Sequence, residues 1–159
     1  GRLGDDAFGS RVRSALMQAG VDVDHLIVDD ELSTGMADIR VDDRGQNSIC
    51  VAPLANGRFS ADDVAAHDAA FAACGVLLLQ LETPVEASIA AARAAKRQGA
   101  TVLLNPAPAP ETGLAPALTA ACDVLVLNED TRFTQVDQPI AEGDDPPPDD
   151  DPTRSQPPA

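Results

Sequence analysis

The sequence is poor in aromatic and basic residues. Its 159 residues include four Phe and no Trp or Tyr, and 11 basic residues stand against 26 acidic ones, for a formal net charge of −15. Proteins that bind nucleic acids use basic patches and stacking aromatic rings, so nucleic acid is not an expected partner. No run approaches the roughly 18 consecutive apolar residues of a membrane span, and the first four residues lack a signal-peptide pattern. We therefore expect no membrane partner and a cytoplasmic location.

Several common chemical signatures are also absent. The three cysteines, Cys50, Cys74 and Cys122, are odd in number and widely spaced, which favours small buried thiols over disulfides or a zinc site. His25 and His67 have no neighbouring nucleophile or acid in a catalytic spacing, so we interpret them as surface histidines. The sequence contains neither a phosphate-binding P-loop nor a G-x-G-x-x-G run after a strand. These patterns alone predict no catalytic residue and no metal ligand.

The C-terminal part differs in composition from the rest. After Val136 the chain holds seven of its 13 prolines and seven acidic residues, with a single arginine. Such a segment buries too little apolar surface to offset its loss of conformational entropy. We predict a folded region over residues 1–131 and a disordered, acidic, Pro-rich tail over residues 132–159.

Local patterns predict most elements of the first half. Apolar residues at helical spacing predict a helix over 7–19, with acidic residues at its start and Gly20 at its end. A short strand is expected at 25–28. Two extended runs, 35–41 and 47–52, flank a turn-forming segment and predict a β-hairpin. Ser60 and the acid three residues later predict a capped helix to about residue 73.

Strands and helices alternate in the second half. Apolar runs at 76–81, 101–104 and 123–127 are separated by helical patterns at 84–98 and 114–121. Continuous apolar strands between helices are typical of a parallel sheet that is covered on both faces. The predicted fold class is α/β.

A polar residue follows each of these three strands: Glu82, Asn105 and Asn128. Ligands of open parallel sheets bind beyond the carboxyl ends of the strands, so the three side chains could line one site. The alternative is structural, with Glu82 capping the helix near Pro84 and the two asparagines forming turns. The spacing alone leaves both interpretations open.

Five short runs resemble the ribokinase-like sugar kinases, also called the phosphofructokinase B family. They are residues 1–9 (GRLGDDAFG), 33–35 (STG), 80–84 (QLETP), 105–109 (NPAPA) and 127–129 (LNE), in the family's order and spacing. The resemblance covers residues 1–131 and implies a doubly wound parallel sheet with a small β-hairpin lid over the sugar. It also implies a chain truncated at both ends relative to whole family members.

The resemblance assigns roles to particular residues. The lid corresponds to about residues 35–52, and Glu82 matches the glutamate that binds sugar hydroxyls. Asn128 matches the asparagine beside the nucleotide phosphates, so ATP and Mg²⁺ are the implied cofactors. Thr131 stands where the family has its magnesium-organising glutamate, and Glu129 is offset from that position. Leu54 replaces a glycine that is usual in ribokinases.

The family reaction is ATP-dependent phosphorylation of ribose or a similar sugar. Its Gly-Ala-Gly-Asp segment, which supplies the anion hole and the catalytic aspartate, has no match in these 159 residues, nor does the glycine-rich sugar-binding segment. We therefore expect no catalytic residue in this chain and no useful kinase activity from it alone. The lid implies a homodimer contact. The alternative is a non-catalytic binding or interaction module that uses the lid hairpin.

Overall fold

The computed structural model describes residues 1–110 and 113–127. The strands are β1 (Arg2–Gly4), β2 (Ile27–Asp29), β3 (Met36–Val41), β4 (Asn47–Ala52), β5 (Val76–Leu79), β6 (Thr101–Leu104) and β7 (Val124–Leu125). The α-helices are α1 (Ala7–Gln18), α2 (Ala61–Ala66), α3 (Val85–Arg97) and α4 (Pro116–Thr119), with 3-10 helices at Leu54–Arg58 and Asp68–Phe71. The predicted tail, 132–159, lies outside the described residues.

Two groups of parallel strands and one hairpin make up the sheets. β1 pairs with β2 in parallel, and β5, β6 and β7 form a second parallel sheet in that order. β3 and β4 pair in antiparallel register from Met36 opposite Ala52 to Val41 opposite Asn47. Helices connect the parallel strands, as the alternating apolar runs predict, and the α/β prediction is confirmed.

Alanines on α3 let this helix pack closely on the sheet. Ala92 and Ala95 are fully buried with Val102 and Leu104 of β6 and Leu118 of α4. A second face of α3 packs against Val64 of α2 through Ala87, Ala91 and Ala94. Small side chains bring the helix backbone near the strands, so α3 fixes the position of β5 and of the loop that follows it.

The helix predicted to start at Ser60 is shorter than expected. Ser60 and Asp63 form the predicted capping box, but α2 ends at Ala66. His67 leaves the helical conformation at φ −113° and ψ 27°, and its N–H bonds the carbonyl of Val64, three residues back. The chain continues as a 3-10 helix, so the two turns share a helical sequence pattern without forming one α-helix.

The interpretation of the cysteines as buried thiols is wrong for Cys50, whereas Cys74 and Cys122 pack against the core. Cys50 is exposed, and Cys74 and Cys122 are only partly buried. Cys50 lies on β4, whose residues are all exposed because the hairpin projects from the sheets. The period-2 pattern of a hairpin predicts strands but does not show whether a second layer covers them.

Candidate functional site

The carboxyl ends of β5 and β6 lie side by side. Leu79 pairs with Leu104 in the parallel register, and the loops that follow run together, with the Leu81 N–H donating to the Ala107 carbonyl at 2.9 Å. Glu82 and Asn105 therefore leave the sheet at the same edge, and both are exposed. Their place at one edge of the sheet agrees with the sequence, but Asn105 is not among the residues that line either cleft described below, and a shared ligand site stays a prediction. Asn128, Glu129 and Thr131 lie outside the described residues.

Glu82 does not cap the following helix. The residue before α3 is Pro84, and no side chain caps this helix start. The Glu82 backbone has partners on both sides: its N–H donates to Gln80 Oε1 at 3.0 Å, and its carbonyl accepts from Asn56 Nδ2 at 3.2 Å. The structure thus contradicts the capping alternative and leaves the Glu82 side chain exposed.

Glu82 lies in a cleft of about 710 Å³. One wall carries Glu82 and Gln80 at the end of β5, together with Asn56. The β3–β4 hairpin, which corresponds to the lid that the resemblance implies, forms a second wall with Ala37, Ile39, Ile49 and Val51, and Leu3, Val12, Leu16 and Leu26 add further apolar side chains. An exposed carboxylate in a cleft with apolar side chains suits a ligand that has hydroxyl groups along one edge and carbon-bound hydrogens along another.

The alternation of the lid strands explains this wall. Ala37, Ile39 and Val41 lie on one face of the hairpin, opposite Val51 and Ile49. The other face carries Asp38, Arg40 and Ser48 together with Met36, Cys50 and Ala52. Because successive side chains point to opposite faces, Ala37, Ile39, Ile49 and Val51 share one face, and the charged side chains of the two strands, Asp38 and Arg40, lie on the other.

The two legs of the lid are held together at its base. The Ala55 N–H donates to the Ser33 carbonyl at 3.0 Å. A Cβ atom on Gly35 would lie 2.8 Å from the Pro53 carbonyl oxygen, closer than Cβ atoms approach in proteins. Glycine at this position therefore allows the incoming and outgoing strands to lie in contact.

Asp6 joins the first two motif runs across 28 residues. Its carboxylate caps α1 by accepting from the Gly9 N–H at 2.7 Å, and it accepts from the N–H and hydroxyl of Thr34 at 2.8 and 2.9 Å. The Thr34 hydroxyl oxygen in turn accepts from the Gly4 N–H at 3.0 Å. These N–H donors, Gly9 first and then Thr34, lower the pKa of Asp6. The start of the lid is thereby tied to α1 and β1.

A network of two arginines and two aspartates braces the same region. Arg2 contacts Asp63 at 2.7 Å and the buried Asp29 at 3.1 Å, and Arg58 contacts Asp29 at 3.3 Å. Hydrogen bonds from Arg2 lower the pKa of Asp63 to about 2. The Leu32 N–H is the main cause of a lowered pKa at Asp29, which both arginines also contact. These charges are paired with each other and hold β1, β2 and α2 together.

A second, smaller cleft of about 390 Å³ adjoins the first and shares Gly1, Asn56 and Gln80 with it. His25 and His67 meet there edge to face, with ring centroids 5.7 Å apart. His25 is exposed, in agreement with the surface interpretation, whereas His67 is partly buried and its Nδ1 lies 2.8 Å from the Asp63 carbonyl.

Within residues 1–110 and 113–127, no group of three or more His, Cys, Asp or Glu side chains could hold a metal ion. No helix of that part is long and apolar enough to cross a membrane.

Sequence reasoning missed Asn56, Gln80 and the link between Asp6 and Thr34. All three depend on contacts between residues that are far apart in the chain or on backbone conformation. The available signal for Asp6 and Thr34 was their presence in two separate motif runs. For Asn56, no local pattern indicated a contact with Glu82, 26 residues away.

Known proteins share both the sequence and the arrangement of this region. The model of the pfkB family carbohydrate kinases matches residues 1–133. The chain is similar to ribokinase of Schizosaccharomyces pombe, with 40% identity over 129 residues, covering 81% of this chain and 40% of the relative. For ribokinase of Haemophilus influenzae the identity is 38% over 127 residues, covering 80% and 41%.

Solved structures show the same fold. The structure of Arabidopsis thaliana ribokinase complexed with ribose and ATP matches with a TM-score of 0.65 and 31% identity, covering 81% of this chain and 42% of that one. The chain thus spans about 40% of the length of the curated relatives it matches. The motif runs, the lid hairpin and the family match over residues 1–133 agree, and the chain belongs to the pfkB family of carbohydrate kinases.

Proposed function

We propose that the cleft between the lid and the end of β5 binds ribose or a similar sugar, and that the lineage function is ATP-dependent phosphorylation of that sugar. The observation that carries the proposal is that the exposed Glu82 and the apolar residues of the lid line one cleft. The carboxylate accepts hydrogen bonds from sugar hydroxyls, and the lid covers the less polar face of the ring. The related ribokinase complexed with ribose and ATP supports this choice of ligand.

Binding of ribose to the full 159-residue chain tests this proposal, with calorimetry as the measurement. Hydrogen bonds to charged groups contribute about 1.5–3 kcal/mol, so Glu82→Gln should weaken binding by about 10-fold or more. Glu86→Gln is the matched control, because Glu86 is also exposed but lies on the first turn of α3, outside the cleft. Equal affinities for wild type and Glu82→Gln would refute the role of Glu82, and a wild type without ribose binding would refute the sugar site.

The chain of 159 residues should not catalyse phosphoryl transfer by itself. Phosphoryl transfer to a hydroxyl needs a base for the proton and a positively polarised site for the phosphoryl oxygens. The family's Gly-Ala-Gly-Asp run, which supplies both, is absent from this sequence. We expect no ribose-dependent formation of ADP by the purified chain, and turnover near one per second would contradict this expectation.

ATP and Mg²⁺ are the proposed cofactors of the lineage reaction, and the cytoplasm is the proposed location. The described residues do not fit a metal site, since they hold no cluster of acidic or other metal-ligating side chains. Asn128, the residue proposed to lie beside the nucleotide phosphates, is outside the described part. In this proposal the described residues contribute the sugar-binding side of the kinase site.

We also propose that two copies of this chain associate through their lids. Val41 is 64% exposed and lies on the apolar lid face beyond the residues that line the cleft. A second lid would cover this face. Val41→Asp should shift the sedimentation of the chain from dimer to monomer. Ser48→Asp, which adds the same charge on the opposite face, should leave the dimer intact.

The alternative function is a non-catalytic interaction module in which the lid pairs with a different protein. The same exposed apolar face supports it. A chain that sediments as a monomer, with no change on Val41→Asp, would refute the homodimer. Ribose binding that is lost in Glu82→Gln would favour the sugar site over the interaction module.

A further inference from the structure

Asn56 lies where the lid, β1 and the Glu82 loop meet. Its Nδ2 donates to the Glu82 carbonyl at 3.2 Å, and its Oδ1 accepts from the Arg2 N–H at 3.4 Å. The side chain is partly buried and lines both clefts. Both ends of one amide are thus used, each by the backbone of a different segment.

The backbone of Asn56 is fixed by the lid itself. Asn56 belongs to the 3-10 helix that follows the outgoing lid strand, and its N–H donates to the Pro53 carbonyl at 3.0 Å. The preceding residue, Ala55, is fully buried and bonded to Ser33 on the incoming leg. The position of the Asn56 amide therefore follows the position of the lid base.

The other hydrogen bonds of the Glu82 loop join it to the sheet and to α3 and not to the lid: the Leu81 N–H donates to the Ala107 carbonyl at 2.9 Å, and Thr83 Oγ1 lies 3.4 Å from Ser88 Oγ. The Glu82 N–H donates to the Gln80 side chain, and α3, which follows the loop, has no side-chain cap. The Glu82 side chain is exposed and makes no hydrogen bond within the described residues. Within residues 1–110 and 113–127, Asn56 is the residue whose side chain bonds this peptide to the lid base.

We propose that Asn56 is a positioning residue for the sugar site: its amide fixes the Glu82 peptide relative to the lid, so that the carboxylate and the apolar lid face meet the same ligand. The part of this inference that concerns sugar binding rests on the proposed function. It adds that the lid and Glu82 act as one unit. Removing the Asn56 amide should weaken sugar binding through Glu82, without Asn56 itself touching the sugar.

Two variants separate the two hydrogen bonds of Asn56. Asn56→Ala removes both, whereas Asn56→Asp keeps an oxygen for the Arg2 N–H and loses the donor to Glu82. Gln98→Ala is the matched control, because it removes an exposed amide side chain at the end of α3, away from both clefts. Urea unfolding of each variant shows whether the fold is retained.

The measurement is NMR of the labelled 159-residue chain, with the Glu82 carbonyl ¹³C shift and the ribose dissociation constant as the two readouts. We expect the carbonyl shift to change in both Asn56 variants and not in Gln98→Ala. Ribose binding should weaken about 5-fold or more in both, with little further loss when Glu82→Gln is added, because the two residues act through one contact.

Each outcome decides a separate point. An unchanged Glu82 carbonyl in Asn56→Asp would overturn the inference, as would a changed carbonyl with unchanged ribose affinity or fully additive losses. If the wild type binds ribose but the Asn56 variants give one of these results, the proposed function is retained and the role of Asn56 is refuted. A wild type that binds no ribose would overturn the proposed function and the inferred role in sugar binding together, whereas the carbonyl shift would still decide whether Asn56 holds the Glu82 peptide.

Discussion

At the scale of single residues, paired charges rather than isolated ones surround the candidate site. Asp63 accepts two hydrogen bonds from the Arg2 side chain, at 2.7 and 3.0 Å, and further ones from Ser60. These contacts lower its pKa from 3.8 to about 2. The carboxylate form is therefore favoured by folding.

This pKa shift predicts a specific loss of stability in acid. Because the pKa of Asp63 is lower in the folded chain than in the unfolded one, its contribution is fully present above about pH 4 and disappears as the pH falls through about 2. Asp63→Asn should lower the urea midpoint at pH 7 and flatten its decline between pH 4 and pH 2. Asp62→Asn, on the same helical turn and exposed, is the control. A decline of equal steepness in Asp63→Asn and wild type would contradict the prediction.

The residue scale also shows the limit of sequence reasoning. The place of Glu82 at the sheet edge could be predicted because the end of an apolar strand in a parallel sheet is a defined place, whereas its binding role stays a prediction from the family resemblance. Asn56 could not, since its partners belong to β1 and to the loop after β5. Long-range hydrogen bonds leave no periodic trace in a sequence.

At the scale of elements, close backbone contacts fix the start of the lid. A Cβ atom on Gly4 would lie 2.5 Å from the Thr34 nitrogen and 2.6 Å from the Leu32 carbonyl oxygen. β1 and the segment that enters the lid therefore touch through their backbones. No side chain larger than hydrogen fits between them.

Gly4→Ala should destabilise the chain by about 1–3 kcal/mol, the usual cost of overpacking, because backbone atoms cannot move aside as a flexible side chain can. Urea unfolding is the measurement. Gly75→Ala is the control, since a Cβ there would meet no atom within 4 Å. Equal midpoints for the two variants would show that the contact at Gly4 is not tight.

Elements were predicted well where local rules determine them. Hydrophobic periodicity predicted α1, the lid strands and the alternating second half to within a few residues of their ends. The break at His67 was missed because α2 and the following 3-10 helix have the same apolar spacing. The exposure of Cys50 was missed because burial depends on what packs over a strand.

At the scale of the whole molecule, the described part leaves large apolar side chains exposed. Leu78 is 73% exposed, and Val76, Phe8 and Met17 are each 58% exposed. The edges of β1 and β5 have no strand paired outside them within the described residues. Exposed apolar surface and unpaired strand edges favour association over a stable isolated fold.

The 159-residue chain should therefore be only marginally stable. We expect a urea midpoint below about 4 M, given the slopes typical of small domains, and association that increases with protein concentration. Unfolding curves at several concentrations are the measurement. A cooperative transition above about 4 M that does not depend on concentration would contradict this expectation.

The most direct test of the sugar site is a ribose titration of the labelled chain, followed by amide NMR shifts. If the cleft binds the sugar, shifts should move together on both walls, at Glu82 and Gln80 on one side and at Ile39 and Ile49 of the lid on the other, and they should stop moving in Glu82→Gln. Shifts confined to one wall, spread over the surface, or unchanged by Glu82→Gln would contradict a sugar site formed jointly by Glu82 and the lid.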